Sequence, residues 1–277
     1  MALFDIKLFS TSLLTHTDIR VIVPTPDEPF HPDATPYYQP GKKYQVLYLL
    51  HGAYGDCTVW SRYTGIERYA QQHKLIVVSA SVTNSCYLVM AHGGKFMTYM
   101  TKELPAFINA MFPVSTRRED TFIAGLSMGG YGAYRLALET PERFSCAVSL
   151  SGALDMASIA EQAGAGAPSA LNLGDIFPEG PVRGSDNDLL ALLKKRLAEG
   201  CTIPKLYQCC GTEDFLYRSN LYFRGELEKL PVELTFDQSP GIHNWDYWDA
   251  QIRKVLDWLP LNDAKAGLSS GNISVKE

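Results

Sequence analysis

Short runs of apolar residues recur along the chain, each with the length and composition of a buried β-strand. They are Val46–Leu50, Leu75–Val82, Thr121–Ala124, Cys146–Leu150, Lys205–Cys210 and Val232–Phe236. Because most of these runs are largely apolar rather than alternating, they predict a sheet that is covered on both faces. Two earlier runs, Phe4–Phe9 and Ile19–Val23, are separated by polar residues and predict an antiparallel pair.

Between the runs lie segments in which apolar residues return every third or fourth position, the spacing of an amphipathic helix. The predicted helices are Tyr63–His73, Phe96–Met111, Met128–Glu139, Asn187–Glu199, Leu216–Leu230 and Trp245–Leu259. Strands that alternate with helices predict an α/β fold, here a mostly parallel sheet of about eight strands with helices on both faces.

Three segments depart from this alternation. Residues 24–40 are rich in proline and predict a surface loop. Residues 153–204 exceed an ordinary crossover and hold a stretch of Gly and Ala, so we expect a cap-like insertion over the sheet. Residues 262–277 are polar and predict a frayed tail, which leaves residues 1–261 as a single domain.

Composition and charge exclude several classes of protein. The 277 residues carry a net charge of −5 and no Lys/Arg run, which argues against a nucleic-acid partner. The sequence shows neither a membrane-spanning run nor a secretory leader pattern, so we expect a cytoplasmic protein without a membrane partner. The six cysteines lack metal-ligand spacing, and the nearest match to G-x-G-x-x-G fails at Arg135. We therefore predict neither a metal nor a cofactor.

The segment GLSMG at residues 125–129 fits the G-x-S-x-G pattern of a nucleophile elbow. A predicted strand precedes it and a helix of small residues follows, which is the context that such an elbow requires. A serine hydroxyl is a weak nucleophile and needs a base. His243 is the one histidine of six that follows Ser127, and it lies beyond the last predicted strand. We predict Ser127 as the nucleophile and His243 as its base.

The base needs an acid that orients it, placed between Ser127 and His243 on a loop after a strand. Asp214 meets this requirement because it closely follows the run Lys205–Cys210. Glu213 and Asp237 are alternatives, and Asp214 is preferred over both.

An acyl-transfer site also needs two fixed N–H donors for the oxyanion. We assign them to the backbone of Met128, next to the nucleophile, and of Ala53, on the loop after the first buried run. Tyr54 is the alternative to Ala53. His51, on the same loop, is expected to organise the loop rather than to act as a base.

Several motifs resemble the putative-esterase branch of the α/β-hydrolases, the family of esterase D and S-formylglutathione hydrolase. They are HGAYGD at 51–56, IERYA at 66–70, GLSMGGYGA at 125–133 and GIHNWDYW at 241–248. Within this branch the sequence looks most similar to the tributyrin-type short-chain carboxylesterases. The resemblance implies the α/β-hydrolase fold.

The same resemblance implies Ser127, Asp214 and His243 as a catalytic triad, and residues 153–204 as a cap that shapes the acyl pocket. It implies a serine carboxylesterase of small soluble esters, with acetyl, short-chain or feruloyl acyl groups, acting through an acyl-enzyme. Relatives of this kind assemble into dimers or tetramers, so a homo-oligomer is expected.

Other functions share the same motifs. A thioesterase such as S-formylglutathione hydrolase is the main alternative, followed by an acyltransferase and a non-catalytic binding protein. Trp60, Tyr87, Met90 and Trp245 could form an apolar wall for an aromatic acyl group, although core packing explains each of them equally well.

Overall fold

The computed structural model describes residues 1–26, 38–164 and 171–262. Their strands form one sheet of eight, in the order β1-β2-β4-β3-β5-β6-β7-β8. The strands are β1 (Ala2–Ser10), β2 (Thr15–Val23), β3 (Val46–Leu50), β4 (Ile76–Ala80), β5 (Thr121–Leu126), β6 (Cys146–Leu150), β7 (Lys205–Gly211) and β8 (Leu234–Ser239). Strands β3 to β8 run parallel, and β2 pairs antiparallel with both β1 and β4. The mostly parallel sheet is the one that the sequence predicts.

Helices cover both faces of the sheet. They are α1 (Val59–Tyr63), α2 (Ile66–Gln72), α3 (Phe96–Thr98), α4 (Leu104–Met111), α5 (Met128–Glu139), α6 (Met156–Gly164), α7 (Leu173–Ile176), α8 (Leu189–Ala198), α9 (Tyr217–Leu227) and α10 (Trp245–Trp258). Helices α2 and α10 pack on one face, and α4, α5, α8 and α9 pack on the other. Strand β3 serves both cores, because Tyr48 and Leu50 face one of them while Leu47 and Leu49 face the other.

Some elements differ from the sequence prediction. The predicted helix Tyr63–His73 corresponds to α2, which begins three residues later at Ile66, and the preceding helix α1 has no counterpart in the prediction. Strand β8 begins two residues later than predicted and extends to Ser239. Helices α6 and α7 lie in the predicted insertion and have no counterpart in the prediction, whereas α8 was expected and packs beside α5 and α9. The predicted tail after Asn262 and residues 27–37 of the proline-rich loop lie outside the described residues.

All six cysteines are free thiols, and five of them are buried. Within the described ranges, no cluster of His, Cys, Asp and Glu side chains has the arrangement of a metal site. No described helix combines the length and the apolar character needed to cross a membrane.

Glu103 ties the first hairpin to the helical layer. It ends a π turn, Tyr99–Glu103, that joins α3 to α4. Its carboxylate accepts hydrogen bonds from the Ser10 hydroxyl (2.8 Å) and from the backbone N–H groups of Thr11 (2.8 Å) and Ser12 (3.0 Å). Burial raises the pKa of Glu103, but these hydrogen bonds outweigh burial and lower the pKa to about 2.

We expect the substitution Glu103→Gln to destabilise the fold by about 1–2 kcal/mol at neutral pH, since a neutral amide accepts these hydrogen bonds less strongly. The folded-state pKa lies below the ordinary value of 4.5, so this contribution is present above pH 4.5 and is lost as the pH falls toward 2. Urea unfolding of both proteins between pH 7 and pH 3 measures the difference, which should shrink in acid. Glu142→Gln, at an exposed glutamate, is the control and should show neither effect.

Candidate active site

Ser127 lies at the sharp turn between β5 and α5. Its backbone has φ +52° and ψ −118°, a conformation that residues other than glycine rarely adopt. The turn is held in place by a hydrogen bond from the Ser127 N–H to the carbonyl of Leu150 on β6 (2.9 Å). Strain of this kind persists where the surrounding structure imposes it, and it is concentrated at active sites.

Glycine is required on both sides of Ser127 because the backbones approach closely. A Cβ at Gly125 would collide with the carbonyl group of Gly129, at the start of α5. A Cβ at Gly129 would lie 2.5 Å from the carbonyl oxygen of His51, on the loop after β3. The two glycines therefore bring the elbow and the β3 loop together, which is the packing that the G-x-S-x-G pattern predicts.

The structure brings Ser127, His243 and Asp214 into one hydrogen-bonded chain, although they lie far apart in the sequence. The His243 Nε2 lies 3.0 Å from the Ser127 Oγ, and its Nδ1 lies 2.8 Å from the Asp214 Oδ2. Asp214 follows β7 and His243 follows β8, so neighbouring parallel strands deliver both side chains to the same edge of the sheet.

The two alternative acids point elsewhere. The Glu213 carboxylate accepts a hydrogen bond from the backbone N–H of Gly241 (2.6 Å), and Asp237 forms an ion pair with Lys254 (2.8 Å). Asp214 is thus the one of the three candidates whose carboxylate contacts His243.

The environment of Asp214 favours its ionised form. Its side chain is fully buried, and burial by itself would raise the pKa of the carboxyl group. Hydrogen bonds from His243 and from the Leu216 N–H (2.8 Å) outweigh burial, and the pKa lies below its ordinary value. An ionised Asp214 accepts the Nδ1–H of His243, which leaves the Nε2 lone pair facing the Ser127 hydroxyl.

Aromatic rings hold the His243 imidazole in this orientation. The ring of Phe215 lies against it with 4.6 Å between centroids, and Trp248 meets it edge-on at 4.8 Å. Trp245 in turn packs edge-on against Trp248 at 5.2 Å. These contacts keep the imidazole oriented toward Ser127, and 18% of the His243 side chain remains exposed to solvent.

The predicted oxyanion donors both border the space beside Ser127. Ala53 and Met128 line the same cleft as Ser127, and within the described chain their N–H groups donate to no other residue. The N–H of Tyr54 instead donates to the Asn84 side chain (2.8 Å). This geometry favours Ala53 over Tyr54 as the second donor.

His51 is fixed inside the protein and is not placed to act as a base. Its Nδ1 donates to the Gly52 carbonyl (2.7 Å), and its Nε2 accepts the N–H of Val82 (3.1 Å). Burial lowers the pKa of His51, so the ring is neutral and links the β3 loop to the segment after β4.

Two clefts open beside Ser127, and they share Ala53, Ser127 and Phe215. The aromatic cleft, of about 670 Å³, is lined by these three residues and by Gly52, Tyr54, Gly55, Val59, Tyr63, Leu126, His243, Asn244, Trp245 and Trp248. The aliphatic cleft, of about 460 Å³, is lined by the same three and by Met128, Ala153, Met156, Ser158, Ile159, Gln162, Leu171, Leu216 and Ser219.

The proposed apolar wall is only partly found at these clefts. Trp60 and Tyr87 are at most 1% exposed and lie in the cores on opposite faces of the sheet, and Met90 packs against the core that holds Tyr87 without lining either cleft. Trp245 does line the aromatic cleft. Sequence reasoning missed Phe215, whose position directly after Asp214 was the available signal.

Comparisons with known proteins support the family resemblance. A family model described as putative esterase matches residues 30–259. An acetyl esterase of Caldicellulosiruptor saccharolyticus is 32% identical over 269 residues, which cover 94% of this chain and 98% of that protein.

Two solved structures from Staphylococcus aureus are similar over almost their full length. A fluorophosphonate-binding serine hydrolase, FphF, solved with substrate bound, is 36% identical with a TM-score of 0.83, covering 95% of this chain and 99% of its own. An S-formylglutathione hydrolase, FrmB, is 35% identical with a TM-score of 0.80, covering 93% of this chain and 98% of its own. The chain therefore belongs to the putative esterase family, with the α/β-hydrolase fold, and is a serine hydrolase of carboxylic esters.

Proposed function

We propose that this enzyme hydrolyses small esters of short-chain carboxylic acids through an acyl-enzyme on Ser127. The observation that carries the proposal is the hydrogen-bonded chain Ser127–His243–Asp214, placed where the two clefts meet. The acetyl esterase relative supports a short acyl group.

In the proposed mechanism, the Ser127 Oγ attacks the ester carbonyl carbon while the His243 Nε2 takes the hydroxyl proton. The carbonyl oxygen becomes an oxyanion, which the N–H groups of Ala53 and Met128 stabilise. Asp214 stabilises the imidazolium that forms. His243 then gives its proton to the alkoxide as the C–O bond breaks, and the alcohol leaves. A water molecule then gives a proton to the His243 Nε2 and attacks the carbonyl carbon of the acyl-enzyme. His243 returns that proton to the Ser127 Oγ as the bond between the acyl group and Oγ breaks, and the acid is released.

This mechanism assigns a part of the substrate to each cleft. The leaving oxygen must approach the His243 Nε2, so the alcohol occupies the aromatic cleft, which His243 lines. The acyl group points the opposite way, into the aliphatic cleft beyond Met128. Met156, Ile159 and Leu171 offer that cleft apolar surface for a short alkyl chain.

Narrowing the aliphatic cleft should shorten the acyl groups that the enzyme accepts. For Ile159→Trp we expect kcat/KM on p-nitrophenyl octanoate to fall at least ~10-fold, because the added ring occupies the path of the chain. The value for p-nitrophenyl acetate should change less than ~3-fold. Tyr63→Ala, in the aromatic cleft, is the matched control and should leave the octanoate-to-acetate ratio unchanged. An unchanged ratio in Ile159→Trp would place the acyl group elsewhere and leave the Ser127 chemistry intact.

A thioesterase activity is the second candidate, and the similar S-formylglutathione hydrolase favours it. Glutathione carries two carboxylates, whereas the described lining of the aromatic cleft holds no Lys or Arg side chain. This lining favours a neutral alcohol. Comparing kcat/KM on S-formylglutathione with kcat/KM on p-nitrophenyl acetate decides between the two substrate classes.

A further inference from the structure

The outer edge of the sheet is an unpaired strand of nine residues. Strand β1 pairs with β2 along its whole length, from Ala2 opposite Val23 to Ser10 opposite Thr15. In the described part of the chain, no strand pairs with its other side. Such an edge presents free N–H and C=O groups and can pair with a further strand.

The side chains of this edge are unusually apolar for a surface that faces water. Leu3, Phe4 and Phe9 are 41%, 43% and 53% exposed. Phe4 packs against Phe112 with 5.4 Å between ring centroids, and Met111, which precedes Phe112 in the sequence, is 64% exposed. Natural edges are usually protected by charge, by proline or by a covering element.

The charged residues of β1 are complementary under two-fold symmetry. Residues that lie directly opposite each other in an antiparallel strand pair point their side chains to the same face of the sheet. A two-fold axis perpendicular to the sheet keeps each side chain on its original face. An axis through Ile6, the central residue of β1, sets Asp5 of one copy opposite Lys7 of the other. An axis through Asp5 or through Lys7 would instead set like charges opposite each other, which is destabilising.

The same register also matches the apolar residues. It sets Leu3 opposite Phe9 and Phe4 opposite Leu8 of the second copy, and it pairs all nine residues of the strand. Within each copy, β2 places Arg20 opposite Asp5 and Asp18 opposite Lys7. Both pairs are ion pairs, with 2.7 Å between Arg20 Nε and Asp5 Oδ1 and 3.3 Å between Lys7 Nζ and Asp18 Oδ1. Across the joined sheet, the row Arg20, Asp5, then Lys7 and Asp18 of the second copy would alternate in charge through four strands.

We propose that two copies of this chain pair through β1, antiparallel about a two-fold axis at Ile6, and so join their sheets into one. The interface lies away from the chemistry. Four strand spacings separate β1 from β5, which carries Ser127, about 19 Å at roughly 4.8 Å per strand. Variants of the edge should therefore keep the esterase activity, and this activity reports that they are folded.

Cysteine cross-linking tests the register. In the proposed dimer, the cysteine of Ile6→Cys lies directly opposite the same cysteine of the second copy. Their Cβ atoms would be about 4.5–5.5 Å apart, close to the distance that a disulfide bridges. Leu8→Cys, also half-buried on β1, faces Phe4, and its two copies lie about 13 Å apart along the strand. Under mild oxidation with copper phenanthroline we expect a disulfide-linked dimer of Ile6→Cys. Leu8→Cys and the unmodified protein, in which five of the six native thiols are buried, should stay unlinked.

Charge rescue tests the same register without oxidation. Leu3→Lys or Phe9→Glu alone should weaken the dimer at least ~10-fold, whereas the double variant sets Lys opposite Glu and should recover part of that loss. Sedimentation velocity measures the dissociation constants. Three results would overturn the proposal: a monomer at high micromolar concentration, equal cross-linking at positions 6 and 8, or a dimer that neither single variant weakens.

Discussion

The substitution Ser127→Ala should lower kcat for p-nitrophenyl acetate by roughly 10⁴–10⁶-fold, the largest effect expected of any single change in this enzyme. Alanine cannot form the acyl-enzyme, so catalysis would fall to what binding and the oxyanion donors provide. The hydroxyl also lies on a turn with φ +52°, and alanine keeps the Cβ that this turn already accommodates. We therefore expect the variant to fold like the parent, which circular dichroism checks.

Ser158→Ala is the matched control, because Ser158 lines the aliphatic cleft without contacting His243. It should retain activity within a few-fold. A fluorophosphonate probe should label the parent and Ser158→Ala but not Ser127→Ala. Rapid hydrolysis or labelling of Ser127→Ala would show that another nucleophile acts.

The substitution Asp214→Asn should lower kcat by about 10⁴-fold while leaving KM almost unchanged. An amide at this position donates toward the Nδ1 of His243, which places the ring proton on Nε2 and removes the lone pair that Ser127 needs. The Asp214 side chain is fully buried, so water cannot replace its hydrogen bond to the ring. Steady-state kinetics on p-nitrophenyl acetate separates kcat from KM.

Glu213→Gln is the control for this experiment because it changes the adjacent carboxylate in the same way. Its side chain accepts from the Gly241 N–H rather than from His243, so we expect a change in kcat below ~3-fold. If Glu213→Gln lost as much activity as Asp214→Asn, the assignment of the acid would be wrong.

The central strands and the elbow were predictable from sequence because their surroundings restrict them strongly. Strand β3 and strand β6 are buried on both faces, so every position except Ser149 is apolar or aromatic, and the run itself marks the strand ends. The elbow was readable because close backbone approach leaves only glycine at residues 125 and 129. Chain order then allowed a single histidine as the base.

The remaining features depend on contacts that sequence patterns do not record. Strand β8 is an edge strand with half-buried residues, so the neighbouring apolar residues at 230–232 shifted its predicted start. Adjacent carboxylates at 213 and 214 satisfy the same spacing, and the direction of each side chain decides which one contacts His243. The sequence left Trp60 open as a cleft or a core residue, because aromatic character suits both. In the structure its indole N–H donates to the Leu50 carbonyl (2.9 Å).

Phe215 is 76% exposed, yet it touches the His243 ring and forms part of both clefts. Under the proposed assignment of the acid and the alcohol to the two clefts, a wall shared in this way contacts both halves of the substrate. A smaller residue at this position enlarges both clefts at once, and it also removes a ring that steadies the imidazole. Selection for a bulkier acid would therefore alter the range of alcohols and the turnover in the same step. A substitution of Phe215 that broadens the range of acids therefore also broadens the range of alcohols. New preferences for the acid or the alcohol alone evolve more freely through residues that line only one cleft, such as Ile159 and Tyr63.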